Sequence, residues 1–166
     1  MPRHPLPFDP IEEAASHWRA RWGGVEEMRA VTSLMRVQQL VLARLDELLR
    51  PHRLTFARYE ALVLLSFSRH GALPLGKMGE RLQVHPTSVT SIVNRLEASG
   101  HLRRERHPTD RRTTMAALTA SGRDAVEAAT RDLVDGGFGV DALDEEGLRD
   151  VTDLLRPVRR AAGDFS

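Results

Sequence analysis

The chain has 166 residues, 41% hydrophobic and 28% charged, with a net charge of +1 and no cysteine. This length suits one domain, or one domain with appendages, around a real core, and the composition excludes a disordered tail or a membrane protein. Disulfides, thiolate metal sites and cysteine-based redox sensing are excluded too.

The longest purely apolar run, Ala61–Leu65, is too short to span a bilayer. The first ten residues hold four prolines and no apolar stretch of the signal-peptide kind. Asp9, Pro10 and Glu12 then read as an N-cap, a first-turn proline and a capping-box acid. They open a helix with Ile11, Ala15, Trp18 and Trp22 on one stripe, stopped by Gly23-Gly24. A longer helix is predicted from about Glu26 to Arg50, with Val31, Leu34, Met35, Gln38, Val41, Leu42, Leu45, Leu48 and Leu49 at helical spacing. Pro51 ends it. Thr55 can cap the next helix, which carries Tyr59, Leu62, Val63 and Leu65 and is expected to end near Gly71. A short helix follows over Leu75–Leu82. His85-Pro86 opens another, running to Ser99 with Gly100 as its C′ residue.

The pattern then changes. Leu102–Arg106 and Thr113–Leu118 read as the two strands of one hairpin, joined by the turn residues His107-Pro108-Thr109-Asp110. Thr119 caps a helix to about Asp135, broken by Gly136, Gly137 and Gly139. Asp144 caps the last helix, with Leu143 and Leu148 as a hydrophobic staple and Leu148, Val151, Leu154, Leu155 and Val158 as its stripe.

The small net charge hides an asymmetry. His101–Arg112 holds five arginines and two acids, whereas Asp124–Asp153 holds ten acids and two arginines. One surface suits an anion and another avoids it. Leu73–Leu118, as short helix, tight turn, second helix and hairpin, has the plan of a helix-turn-helix with a β-wing. On the second helix Val89, Ile92, Val93 and Leu96 face inward. Thr87, Thr90, Ser91 and Asn94 lie opposite, flanked by Ser88 and Arg95. Short hydroxyls and an amide let a helix approach DNA, where they meet base edges or phosphate oxygens. Pro86 leaves first-turn amides for a phosphate. Such a face could also be merely solvated. The crowd of Arg103, Arg104, Arg106, Arg111 and Arg112 on the adjoining hairpin favours DNA, since arginine at a hairpin tip can enter a minor groove. Asp110 is expected to hold an arginine in a fork-type pair. The seven histidines form no local metal-ligand pair, and no nucleophile elbow, phosphate loop or Ser/His/Asp signature is visible. No metal, cofactor or catalysis is therefore expected.

The runs LTFARYEALVLL and GERLQVHPTSVTSIVNRLEASGHLRRERHPTDRRTTMAALTASGR resemble the MarR family of bacterial transcription regulators. The resemblance rests on Leu54-Thr55 with Tyr59, Leu82 with Val84, Thr87-Ser88-Val89-Thr90, Arg95-Leu96-Glu97, Gly100, Asp110-Arg111-Arg112, and Leu118-Thr119 with Gly122. It implies a homodimer of winged helix-turn-helix subunits on double-stranded DNA, with recognition helices in adjacent major grooves and Arg112 in the minor groove. It also implies a repressor released by a small phenolic or carboxylate ligand. Gly79 departs from the family pattern and should weaken its short helix slightly. The helix over Asp9–Trp22 is additional to the minimal family plan and resembles that of the urate-responsive subfamily, although Glu60 stands where that subfamily tends to have aspartate.

The expected fold is mainly α with a small β-wing: N-terminal helices over residues 1–53, a winged helix-turn-helix over 54–118 and C-terminal helices over 119–166, the two flanking regions forming a helical dimerisation layer. The expected function is that of a cytoplasmic, dimeric repressor of a pseudo-palindromic operator. The alternative is a winged-helix module whose arginines meet an acidic protein. DNA contacts are expected from Thr87, Ser88, Thr90, Ser91, Asn94, Arg95, Arg104, Arg106, Arg111 and Arg112. A crevice between the dimer layer and the reading head is a usual place for an effector. Trp18, Trp22, His52, Arg58, Tyr59 and Glu60 are its candidate residues, with packing as the alternative role for the aromatics.

Overall fold

The computed structural model describes residues 5–110 and 112–166 and divides into two compact units, one reaching to Ala43 and one running from Arg44 to Ser166.

The first unit holds α1 (Pro10–Arg19) and most of α2 (Val25–Leu49). Asp9 caps α1 by accepting the Ile11 N–H at 2.8 Å, with Pro10 in the first turn. Glu12 does not close a capping box. Its carboxylate is taken by Arg29, whose Nε donates at 2.9 Å while Nη1 donates to Glu26 at 2.8 Å, so the ion pair staples α1 to α2. Ala15 is buried. The helix ends at Arg19, short of Trp22, because the Trp18 carbonyl accepts the N–H groups of both Arg21 and Trp22 in a turn. The two tryptophan rings still meet, tilted by 59° with 4.9 Å between centroids, and the Trp18 indole donates to the Gly23 carbonyl at 2.9 Å. On α2 the predicted stripe divides: Leu45 and Leu49 are buried, Val31, Leu34, Met35 and Leu42 are exposed, and so are Val37 and Leu40 outside the stripe.

In the second unit α2 finishes in a 3-10 turn over Arg50–His52 and α3 (Phe56–Ser66) follows. Thr55 begins α3 without capping it, its hydroxyl instead accepting from Arg58 Nε at 3.1 Å. The helix stops at Ser66, five residues before Gly71. Ser66 and Ser68 turn their hydroxyls back onto the Val63 and Leu65 carbonyls, at 2.7 and 2.6 Å, competing with the helix ladder. Next come β1 (Ala72–Pro74), α4 (Leu75–Leu82), α5 (Pro86–Ala98), β2 (Leu102–Arg106) and β3 (Thr114–Leu118). The sheet has three strands rather than the two of a hairpin. β3 lies in the middle, antiparallel to both neighbours, with Leu73 opposite Ala116 and Arg104 also opposite Ala116. β1 has only three residues and ends in proline, too little for a period-2 pattern.

α6 (Ala120–Asp135) and α7 (Glu145–Ala161) complete the unit. Thr119 caps α6, accepting the Gly122 N–H at 3.0 Å and donating to the Gly100 carbonyl at 2.7 Å. Gly122 must be glycine, since a Cβ there would lie 2.0 Å from the His101 carbonyl oxygen. Asp144 caps α7 through the Gly147 N–H at 2.9 Å. Leu49, Leu62, Leu65, Met78, Val93, Leu96, Leu102 and Leu133 form the buried centre of the unit, joining α2, α3, α4, α5, the sheet and α6. α7 contributes no buried residue.

Candidate nucleic-acid interface

α5 is held at both ends by its own sequence. Pro86 occupies the first turn, and the His85 ring accepts the Thr87 N–H through Nδ1 at 3.3 Å. The Ser88 N–H donates to the His85 carbonyl at 2.8 Å. The first-turn amides are thus already satisfied, which removes the expected phosphate seat at this helix end. At the other end Gly100, with φ +76°, lets its own N–H reach the Glu97 carbonyl and the His101 N–H reach that of Leu96, both at 2.9 Å. In the preceding turn Gln83 takes a left-handed conformation (φ 53°), and the Val84 N–H returns to the Gly79 carbonyl at 3.2 Å. Gly79 is explained by packing: a Cβ there would stand 3.3 Å from Val89 Cγ2, at the tight crossing of α4 on α5.

Val89, Val93 and Leu96 are buried, and Thr87, Ser88, Thr90, Ser91, Asn94 and Arg95 are all exposed, as the helical split predicts. Pro86, Thr87, Thr90, Ser91, Asn94 and Arg95 line one shallow concavity along the helix. Thr90 donates its hydroxyl to the Pro86 carbonyl at 3.1 Å, so its methyl and oxygen lone pairs face out. Among the described residues, Ser88, Ser91 and Arg95 have no side-chain hydrogen-bond partner. They are free to meet a ligand.

The wing is tied to this helix through Arg104. On β2 its side chain shares the Leu102 face and lies half-buried against α5. Its Nη1 pairs with Glu97 Oε2, its Nη2 donates to Asn94 Oδ1 at 2.5 Å, and its backbone N–H donates to Glu97 Oε1 at 3.1 Å. Glu97, legible in the sequence only as part of a motif, is the anchor of the wing. Arg103 pairs with Glu105 at 2.6 Å, while Arg106 and Arg112 are exposed. Arg111 lies outside the described residues. At the tip Asp110 makes no fork-type pair with an arginine side chain among the described residues. Its Oδ1 accepts the Arg112 backbone N–H at 3.0 Å and its Oδ2 the Thr113 hydroxyl at 2.5 Å. The Thr113 hydroxyl and the Arg112 amide hold the Asp110 carboxyl below its ordinary range. The His107 ring accepts the Asp110 N–H through Nδ1 at 3.2 Å, and the His107 N–H donates to the Thr113 carbonyl at 3.1 Å. The turn that presents Arg112 is therefore fixed by its own side chains.

The other charged and aromatic candidates divide between the units. Trp18 and Trp22 belong to the first and contact each other. In the second, Tyr59 is buried with its hydroxyl 2.9 Å from Thr130 Oγ1, and His52 Nε2 lies 2.7 Å from Asp132 Oδ2. Both side chains brace α6. Glu60 is exposed. Arg58 lines a concavity with Thr55, Ser91, Ile92 and Arg95, which brings it to the recognition helix. Burial, helped by the positive charge of Arg58, pushes the His101 imidazole down. Among the described residues no helix is long and apolar enough to cross a membrane.

The MarR family model matches residues 54–114, which hold α3, the helix-turn-helix and the wing up to β3. The chain is 52% identical to Sco5413, a MarR family transcriptional regulator from Streptomyces coelicolor, over 86% of this chain and 99% of that one, with a TM-score of 0.80. It is 26% identical to Sco3205, a MarR family regulator of the same organism solved in complex with DNA, over 85% and 90% of the two chains, with a TM-score of 0.76. It is 31% identical to the transcriptional repressor MdtR of Bacillus subtilis over 57% of this chain. The chain spans 65% of that repressor's length and 38% of another curated relative's. A mainly helical chain with a three-stranded wing, matched so closely and over nearly the whole of a solved relative, belongs to the MarR family of winged-helix transcriptional regulators.

Proposed function

We propose that this chain is a sequence-specific DNA-binding transcriptional regulator that acts as a homodimer on a pseudo-palindromic duplex in the cytoplasm, without catalysis of its own. The observation that carries the reading is the outer face of α5. Six exposed side chains there include no acid, hydroxyls and an amide predominate, and a wing bearing Arg106 and Arg112 stands beside them. Thr87, Ser88, Thr90, Ser91, Asn94 and Arg95 meet the major groove, while Arg106, Arg111 and Arg112 meet phosphates and the minor groove. Arg104, paired with Glu97, positions the wing and reaches DNA only through its remaining N–H groups. The DNA complex of Sco3205 supports this reading.

Dimerisation is supported by the apolar stripes of α2 and α7, which a single chain leaves exposed, Leu154 by 72% and Val158 by 62%. We take residues 1–53 and 119–166 as the dimer-forming regions and residues 54–118 as the reading head. Repression is the sign of regulation we favour, as the name of MdtR suggests for that relative. We take Trp18 and Trp22 in the first unit, and His52, Arg58, Tyr59 and Glu60 in the second, as separate candidate contacts for a small aromatic or carboxylate ligand that releases the complex. Titrating aromatic acids against the protein–duplex complex tests it, with Trp18→Ala and Arg58→Ala expected to blunt release.

The test of DNA binding itself is a salt titration. Affinity for a duplex selected from a random pool should fall at least about a hundredfold between 50 and 200 mM salt, as expected when several arginine–phosphate contacts release counterions. Affinity that stays flat across that range contradicts the reading.

A further inference from the structure

Asn94 sits at the centre of the exposed face of α5, and its amide is not free to turn. Arg104 Nη2 lies 2.5 Å from one terminal atom of that amide. A guanidinium has only N–H donors, so the atom facing it must be the carbonyl oxygen, and the NH2 group must point away. Arg104 is itself immobilised: Glu97 takes its Nη1 and its backbone N–H, and the side chain is half-buried between β2 and α5. Asparagine is ambivalent in a major groove because it can offer an acceptor and a donor together, the pairing that suits adenine. Here one lone pair of the oxygen is taken by Arg104, and the amide is turned so that its NH2 group leads away from the wing.

We propose that Arg104 is a positioning residue that fixes the Asn94 amide with its NH2 group leading, so that each recognition helix favours a base-edge acceptor at the position Asn94 meets. The inference rests on the DNA-binding reading above. Guanine presents two acceptors in the major groove, O6 and N7, and suits two N–H donors. Adenine is disfavoured, because its N6 amino group must share the amide oxygen with Arg104 and the amide is turned away from the orientation that pair needs. Cytosine, which presents its N4 amino donor, is rejected. The Ser91 hydroxyl, without a side-chain partner among the described residues, can donate or accept and carries no such polarity. The wing thereby contributes to base choice without touching the base.

The experiment is duplex selection from a random pool with the full-length chain, read by sequencing, for wild type, Asn94→Ala, Asn94→Asp and Arg104→Met. Wild type should select a motif with one guanine-dominated position in each half-site. Asn94→Ala should level that position alone and lower affinity for the wild-type motif about tenfold. Asn94→Asp keeps the Arg104 contact but replaces the donors with an acceptor, and should move the preference to cytosine or adenine. Arg104→Met frees the amide and should admit adenine. A wild-type motif with cytosine or adenine at that position, a motif unchanged by Asn94→Ala, or a folded Arg104→Met chain with unaltered preference overturns the proposal while leaving DNA binding intact. If thermal melting shows Arg104→Met unfolded, the Asn94→Asp preference decides. A wild-type chain that enriches no motif and binds duplexes without salt dependence overturns the DNA-binding reading itself.

Discussion

α5 and α7 are both amphipathic helices with a wide exposed face, yet they are finished to different degrees. α5 buries Val89, Val93 and Leu96 within its own chain and shows solvent hydroxyls, an amide and an arginine. Its ends are capped and its central amide is held by the wing. α7 has its apolar stripe outside: Leu148, Val151, Leu154 and Val158 are 38% to 72% exposed, and it buries nothing. A helix hydrophobic on one face gains most of its stability by covering that face. α5 has done so and offers a polar surface to a polar partner. α7 has not, and an apolar surface this continuous calls for an apolar partner. The contrast fits the proposed reading, in which α5 meets DNA and α7 a second copy of the chain.

The sharpest break of this contrast compares two leucines. Leu96→Ala should cost about 2–5 kcal/mol of unfolding free energy, because Leu96 is fully buried and leaves a cavity. Leu154→Glu should leave the fold of the single chain within about 0.5 kcal/mol, as for an exposed position. It should instead abolish the protein-concentration dependence of Tm that a dimer imposes by mass action. Melting curves over about a hundredfold range of concentration read both effects.

How far the sequence carried is visible in the same two helices. The face of α5 was legible because its core residues and polar residues alternate at one helical period, and all six predicted contacts are exposed. The stripes of α2 and α7 were equally legible as periodicity, but a period says that a face is apolar and not which molecule covers it. β1 escaped because three residues ending in Pro74 carry no alternation. The roles of His85, Glu97 and His107 escaped for another reason. Each acts through a specific hydrogen bond whose partner is fixed only by three-dimensional geometry, and Glu97 reaches Arg104 across the helix–strand junction. The closure of the wing turn by Asp110, onto the Arg112 N–H and the Thr113 hydroxyl, is of the same kind.

A smaller effect is expected at the wing tip. Arg112→Ala should weaken binding to all duplexes, most where the flanks are A·T-rich, and lower the salt slope by about 1. The preference at the Asn94 position should stay unchanged, because the wing anchor through Glu97 and Arg104 is intact. Binding isotherms at several salt concentrations check this.

The smallest is a pH effect in the hinge between α5 and β2. Burial, and then the charge of Arg58, push the His101 imidazole down, so its folded-state value lies below the unfolded one. The unfolded chain therefore binds more protons there as pH falls. The stability is whole above the unfolded imidazole value of about 6.5 and declines below it. Tm should drop on going from about pH 7.5 to 5.5, and His101→Gln should shrink that drop while leaving the Thr119 N–H bond to the residue-101 carbonyl in place.

The contrast between a finished and an unfinished helix is tested most directly by native mass spectrometry of the full-length chain, alone and with its selected duplex. The account predicts a dimer without DNA and two chains per duplex with it, and Leu154→Glu converting the free protein to monomer. A wild-type chain that is monomeric at micromolar concentration, or that binds one chain to each duplex, contradicts it.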